Sequence, residues 1–172
     1  MHLVTIVYNL AISCWLGGSA LFTFILTPLI FASYSRDIAG GMVGTLFPGY
    51  FRWGLACGAV ALLSQIINRG RFALASLAVI TIMLALTAVQ AFVLEPQAAA
   101  LKHSIVSFET TPADAPQRVQ FRKLHGLSMA VNLAVIIGGV VLVILSSSSA
   151  PHVAGRGPEP ERTVPQTSPQ SP

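Results

Sequence analysis

Four stretches of this chain lack any charged side chain: residues 1–35, 53–68, 72–94 and 124–155. A helix needs about 20 apolar residues to cross the hydrocarbon core of a bilayer. Unpaired backbone groups cannot face lipid, so each run must close its own hydrogen bonds as a helix. The spans are expected at about 3–31, 50–67, 72–94 and 124–145. Composition agrees, because 53% hydrophobic against 9% charged side chains and a mean hydropathy of +0.71 exclude an ordinary soluble domain. The fold class that follows is all-α: an integral membrane four-helix bundle.

The first span has no Lys or Arg before Arg36 and is far longer than the apolar core of a leader peptide, so it reads as a retained helix. Arg69, Gly70 and Arg71 form a tight hairpin between spans two and three. From Ser146 onward the chain is rich in Ser, Pro and Gly and has little to bury, which predicts a disordered tail over 146–172.

Four spans put the connectors 32–49 and 95–123 on one membrane face and both termini on the other. Arg36, Arg52, Lys102, Arg118, Arg122 and Lys123 lie on the connector face, against Arg69, Arg71, Arg156 and Arg162 opposite. Cytoplasmic loops favour Lys and Arg, so the expected state is a multi-pass plasma or inner membrane protein with both termini outside. The net charge of +4 is spread over loops, which fits contact with a lipid bilayer and not with nucleic acid.

Spans one and three close alike, on "LTPLIF" and "LEPQAA", and spans two and four open alike, on "YFRWGL" and "QFRKLHGL". This pattern is that of two repeated helical hairpins. Cys14 and Cys57 are expected at depths about 15 Å apart at helical rise, too far for a disulfide. No zinc, haem-attachment, P-loop or dinucleotide motif occurs, so several enzyme classes have no support in the sequence.

Three short motifs, "LFPGYF" at 46–51, "LEPQAAALK" at 94–102 and "FRKLHGLSMAVNL" at 121–133, resemble in this order the transmembrane protein 205-like family of four-span membrane proteins. The matching positions are Leu46, Phe47, Pro48, Tyr50 and Phe51; Leu94, Glu95 and Pro96; and His125, Gly126, Leu127, Ser128, Asn132 and Leu133. The first span matches loosely, through Trp15 and Gly17, and has no histidine within it. The resemblance implies the four-span architecture. Its vertebrate member is associated with platinum-drug resistance and vesicle or surface trafficking, while bacterial members carry a domain of unknown function.

By parity all three motifs fall at one membrane face. His125, Ser128 and Asn132 share one face of the fourth helix, and a polar stripe in a span is expected to point into the bundle. Glu95 ends the third span, with His125 or Arg122 as its expected partner. Glu95, His125, Ser128 and Asn132 are therefore the candidate polar site, rimmed by Tyr50, Arg52 and Arg122. Glu95-Pro96 also fits a plain helix boundary, since proline suits a first helical turn. His125 also fits an interfacial anchor, and Tyr50, Phe51 and Trp53 an aromatic belt. Gly54 and Gly58 read as helix packing, and Gly126 as a place of close backbone approach.

His125, Glu95 and His103 are candidate metal ligands, although zinc asks for three or four protein donors. The favoured expectation is a non-enzymatic membrane protein without a cofactor, whose polar site assists transport or export of small solutes or soft metal complexes. The alternative is a haem- or metal-binding membrane redox protein using His125 as ligand. A homo-oligomer or a membrane partner protein would supply the room that four spans lack, with Gly54, Gly58, Gly138 and Gly139 as contacts.

Overall fold

The structure, a computed structural model, describes residues 2–67 and 72–147. The Arg-Gly-Arg hairpin and nearly all of the expected tail lie outside the described residues. Four helices are long and apolar enough to cross a membrane: α1 (His2–Ser33), α2 (Arg36–Ile67), α3 (Ala73–His103) and α4 (Pro116–Ser147). Each packs on its neighbours in the chain, and α1 also packs on α4, so the four close into a ring. The chain is a multi-pass membrane protein, and its apolar outer faces show it: Leu3, Leu10, Phe24, Leu74, Phe92 and Ile144 are all exposed.

Three helices run further than their apolar stretches predict. The expected connector 32–49 is reduced to a break at Tyr34 and Ser35, and α2 begins at Arg36 with Pro48 inside it. Four glycines and a proline there read as a loop in water, but in a membrane helix a proline is tolerated because neighbouring groups re-satisfy the freed backbone. α3 does not stop at Leu94 but continues to His103, and α4 starts at Pro116, leaving 104–115 as the connector.

The end of span one and the end of span three are built alike. In α1 the segment Phe22–Leu26 is a π-turn, with the Thr27 N–H bonded to the Phe22 carbonyl five residues back. In α3 the segment Gln90–Leu94 is a π-turn, with the Glu95 N–H bonded to the Gln90 carbonyl. Each has a proline two positions beyond its end, Pro28 or Pro96. A proline inside a helix removes one hydrogen bond and crowds the carbonyl four residues back. The wider turn accommodates that crowding without ending the helix.

The larger core cluster sits in the half of the bundle nearest the termini, and a smaller one, Ile30 with Ala39 and Val43, joins α1 to α2 at the connector end. Tyr8, Ile12 and Trp15 of α1 pack against Cys57 and Ala61 of α2, Ile80 and Met83 of α3, and Val135 and Leu142 of α4. Small residues permit this contact: a methyl group on Gly58 would stand 2.5 Å from Leu84 Cδ1 and 2.7 Å from the Trp15 ring, and one on Gly54 3.1 Å from Trp15 Nε1. Methyl groups on Gly138 and Gly139 would meet Met83 at 2.8 Å and Leu16 at 3.0 Å. All four glycines are thus spent within the subunit and are not free as oligomer contacts. Cys14 and Cys57 are both free thiols, yet Cys14 packs on the cluster that holds Cys57. The early start of α2 brings the two to similar depth, which corrects the separation expected from the shorter span.

Candidate functional site

Polar side chains gather at the level of the two π-turns. The Tyr50 hydroxyl donates to Asn132 Oδ1 at 2.6 Å, and Asn132 Nδ2 donates to Thr23 Oγ1 at 2.7 Å, tying α2, α4 and the first π-turn together. Ser128 Oγ lies 3.4 Å from Gln90 Oε1 in the second π-turn. Gln90 is buried, as are Thr87 and Ser19 nearby. Asn132 uses both ends of its amide, so a group costly to bury is satisfied on both sides. The Tyr50 ring stacks on Phe22, centroids 4.5 Å apart.

On the connector side of this layer the bundle opens into a cavity of about 930 Å³. One face of α2 supplies Gly40, Gly44, Phe47 and Phe51. Leu94, Glu95, Ala98 and Lys102 come from α3, and Arg118, Phe121, Arg122, His125 and Ser128 from one face of α4. Thr27, Phe31, Arg36, His103 and Phe108 also line it. Glycine and alanine on facing helices leave the space open, and the helix periodicity of 3.6 puts each set on one side.

The connector is fastened over one edge of this cavity. Ser107 Oγ donates to Asp37 Oδ2 at 2.5 Å and the Phe108 N–H donates to Asp37 Oδ1 at 2.7 Å. The Arg118 guanidinium donates to the Thr111 carbonyl and lies 5.7 Å from the centroid of Phe108. Phe108 meets Phe121 edge-on at 5.0 Å, and Phe121 stacks on His125 at 5.9 Å.

The candidate site therefore divides in two. Glu95 and His125 line the cavity with Arg122, whereas Asn132 and Tyr50 belong to the polar layer, and Ser128 touches both. The expected partner of Glu95 is not found: among the described residues its carboxylate makes no ion pair within 4.0 Å with His125 or Arg122. Arg52 is exposed and off the cavity. Gly126 has nothing within 4 Å of a Cβ position, so it faces open space and not a neighbouring backbone. Tyr50 and Phe51 turn inward, and of the expected belt only Trp53 is exposed. His103, Glu95 and His125 share the cavity wall, but among the described residues no three His, Cys, Asp or Glu side chains group as a metal site.

Thr23 and Asp37 were not legible as site residues. Thr23 is an isolated hydroxyl in an apolar run, and its inward direction depends on the π-turn around it. Asp37 falls within the connector expected over 32–49, whereas α2 begins at Arg36 and places it in a first helical turn, where negative charge is favoured.

Comparison with known proteins gives the chain a family. An uncharacterized protein of Aquifex aeolicus (strain VF5) is 30% identical over 136 residues, covering 78% of this chain and 91% of that protein. No solved structure matches. Residues 10–107 match the family described as a domain of unknown function, DUF4149, a segment from the core of α1 through the cavity wall of α3 to the connector. The chain belongs to the DUF4149 family.

Proposed function

We propose that this is a non-enzymatic membrane protein that binds a small solute in the cavity between α2, α3 and α4 and assists its passage at the connector face. The observation that carries the reading is the cavity itself: residues of three separate motifs, Phe47 and Phe51, Leu94 and Glu95, and His125 and Ser128, line one space of about 930 Å³. That is near the upper end of the roughly 300–1,000 Å³ of small-molecule sites, and like them it is mostly apolar with a few convergent polar groups. The likeness of those motifs to the transmembrane protein 205-like family supports the same region as the working part. Among the described residues no cysteine or methionine lines the cavity, which favours an oxygen-bearing solute over a soft metal complex. The connector face is taken as cytoplasmic, on the balance of Lys and Arg.

A haem- or metal-binding redox protein is the second reading, and the sharing of one wall by His103 and His125 supports it. One experiment separates the two. The protein is purified in mild non-ionic detergent, its absorption spectrum and metal content are recorded, and its extractable small molecules are weighed by mass spectrometry beside an Ala98→Trp variant that fills the cavity. The expected result is a colourless protein whose retained solute falls about tenfold in the variant, the equivalent of about 1.4 kcal/mol of affinity. Equal retention in both proteins would sink the solute site. A Soret band lost in His125→Ala would transfer the argument to the redox reading.

A further inference from the structure

We infer that the cavity takes an anionic phospholipid from the surrounding leaflet, its phosphate among Arg36, Lys102 and Arg122 and its chains along Phe47, Phe51 and Leu94. This rests on the reading of the cavity as a solute site and names the class of solute.

Charge is the first argument. Arg36, Lys102, Arg118 and Arg122 line the cavity against the single carboxylate of Glu95. Among the described residues none of Arg36, Lys102 and Arg122 has a carboxylate within 4.0 Å. The next acid, Asp37, is already held by the Ser107 hydroxyl and the Phe108 N–H, and Arg118 is engaged by the Thr111 carbonyl. Asp37 acts on Lys102 through space and without contact within 4.0 Å, while Arg36 and Arg122 stand at an apolar wall with no described carboxylate within that distance. Guanidinium forks and a lysine ammonium are the groups that match phosphate oxygens.

Depth is the second argument. Each 32-residue helix is about 48 Å long at 1.5 Å per residue, while the hydrocarbon core is about 30 Å thick. The uncharged stretches 73–94 of α3 and 124–147 of α4 must fill that core. Glu95–His103 and Pro116–Lys123 then stand at headgroup level. The cavity crosses this boundary, with its cations on the headgroup side and Phe47, Phe51 and Leu94 toward the hydrocarbon.

Size is the third. A free inorganic anion would satisfy the cations and leave the apolar part of about 930 Å³ filled with water, whereas a lipid covers both parts. A Cβ on Gly40 or Gly44 would stand 3.7 or 3.5 Å from Lys102 Nζ, so these glycines leave room for a headgroup beside the ammonium, and a methyl on Gly41 would meet nothing within 4 Å.

The test titrates the full chain in non-ionic detergent with dioctanoyl phosphatidylglycerol, dioctanoyl phosphatidylcholine and inorganic phosphate, reading bound mass by native mass spectrometry and thermal stability. Phosphatidylglycerol is expected to bind at least about tenfold more tightly than phosphatidylcholine and to raise the melting temperature. Lys102→Gln/Arg122→Gln is expected to lose that preference, and Lys123→Gln, an exposed cation on the same helix outside the cavity, to keep it. Should the double variant not fold, Arg122→Gln alone, also an exposed side chain, carries the test. Equal affinity for the two lipids, or a preference that survives the double variant, overturns the inference. Phosphate binding as tightly as phosphatidylglycerol overturns it in favour of a free-anion site. If Ala98→Trp abolishes binding of both lipids while neither was preferred, the solute site stands and only the anionic class fails. Lipid binding that Ala98→Trp leaves untouched removes both.

Discussion

The two halves of this bundle are built on opposite principles. Toward the termini, glycines bring helices into contact: Gly54 and Gly58 receive the Trp15 ring, and Gly138 and Gly139 receive Met83 and Leu16. Toward the connectors, glycines hold helices open: Gly41 meets nothing, and Gly40 and Gly44 face only the flexible end of Lys102. The same residue type thus makes a dense core in one half and a cavity in the other. What differs is the opposing side chain, a large ring in the first case and alanine or the tip of a lysine in the second.

The largest blow to the dense half is Trp15→Ala. Trp15 is 2% exposed and fills the space over two glycines. Its loss is expected to cost about 3–5 kcal/mol, as for other buried large aromatics. Unfolding in mixed micelles followed by circular dichroism would measure it, and a cost under about 1 kcal/mol would mean the terminal half has no tightly packed core.

A matched pair of glycines sharpens the contrast. Gly58→Ala puts a methyl 2.5 Å from Leu84 Cδ1, and overpacking of this kind costs about 1–3 kcal/mol. Gly41→Ala meets no atom within 4 Å and removes a helix-weakening glycine, so it is expected to be neutral or to stabilise by up to about 1 kcal/mol. Equal effects of the two substitutions in the same unfolding assay would erase the distinction between the halves.

Much of this is legible in the sequence. Uncharged runs announced four helices, because lipid leaves a backbone no other choice. The likeness of "LTPLIF" and "LEPQAA" pointed to a shared device, which is the π-turn before each proline. Boundaries were not legible where membrane and water rules conflict: "AGGMVGTLFPG" is loop-like in water yet continues α2 here. The polar stripe was legible as a face of α4, but not its division. Asn132 turns to Tyr50 and Thr23, while His125, two turns nearer the connector, lies against the cavity. Spacing along one helix says which residues share a side and not what the facing helices place there. Thr23 and Gln90 reach the layer from π-turns, whose altered pitch no 3.6-residue pattern reports.

The polar layer is the border between the halves, and Asn132→Leu tests how firmly it holds. The substitution takes the Asn132 amide away from the Tyr50 and Thr23 hydroxyls, and hydrogen bonds between membrane helices contribute about 0.6–1.7 kcal/mol. A loss of about 1 kcal/mol is expected. Tyr50→Phe added to Asn132→Leu is expected to cost less than the two singles together, since both remove the same hydrogen bond. Strict additivity in that cycle would show that the 2.6 Å contact between them contributes nothing.

The smallest effect lies inside the dense half, and its sign is the informative part. Tyr8 is 3% exposed, and among the described residues its hydroxyl has no hydrogen-bond partner. A buried hydroxyl left unpaired costs about 1–3 kcal/mol, whereas the ring around it packs as well in phenylalanine. Tyr8→Phe is therefore expected to stabilise by about 1 kcal/mol, which for a chain of this size raises the melting temperature by about 2–4 °C. A fall of similar size would mean that the hydroxyl is bonded to a group outside residues 2–67 and 72–147. The terminal half would then hold a polar anchor of its own, and the division into an apolar, packed half and a polar, open one would have to be redrawn.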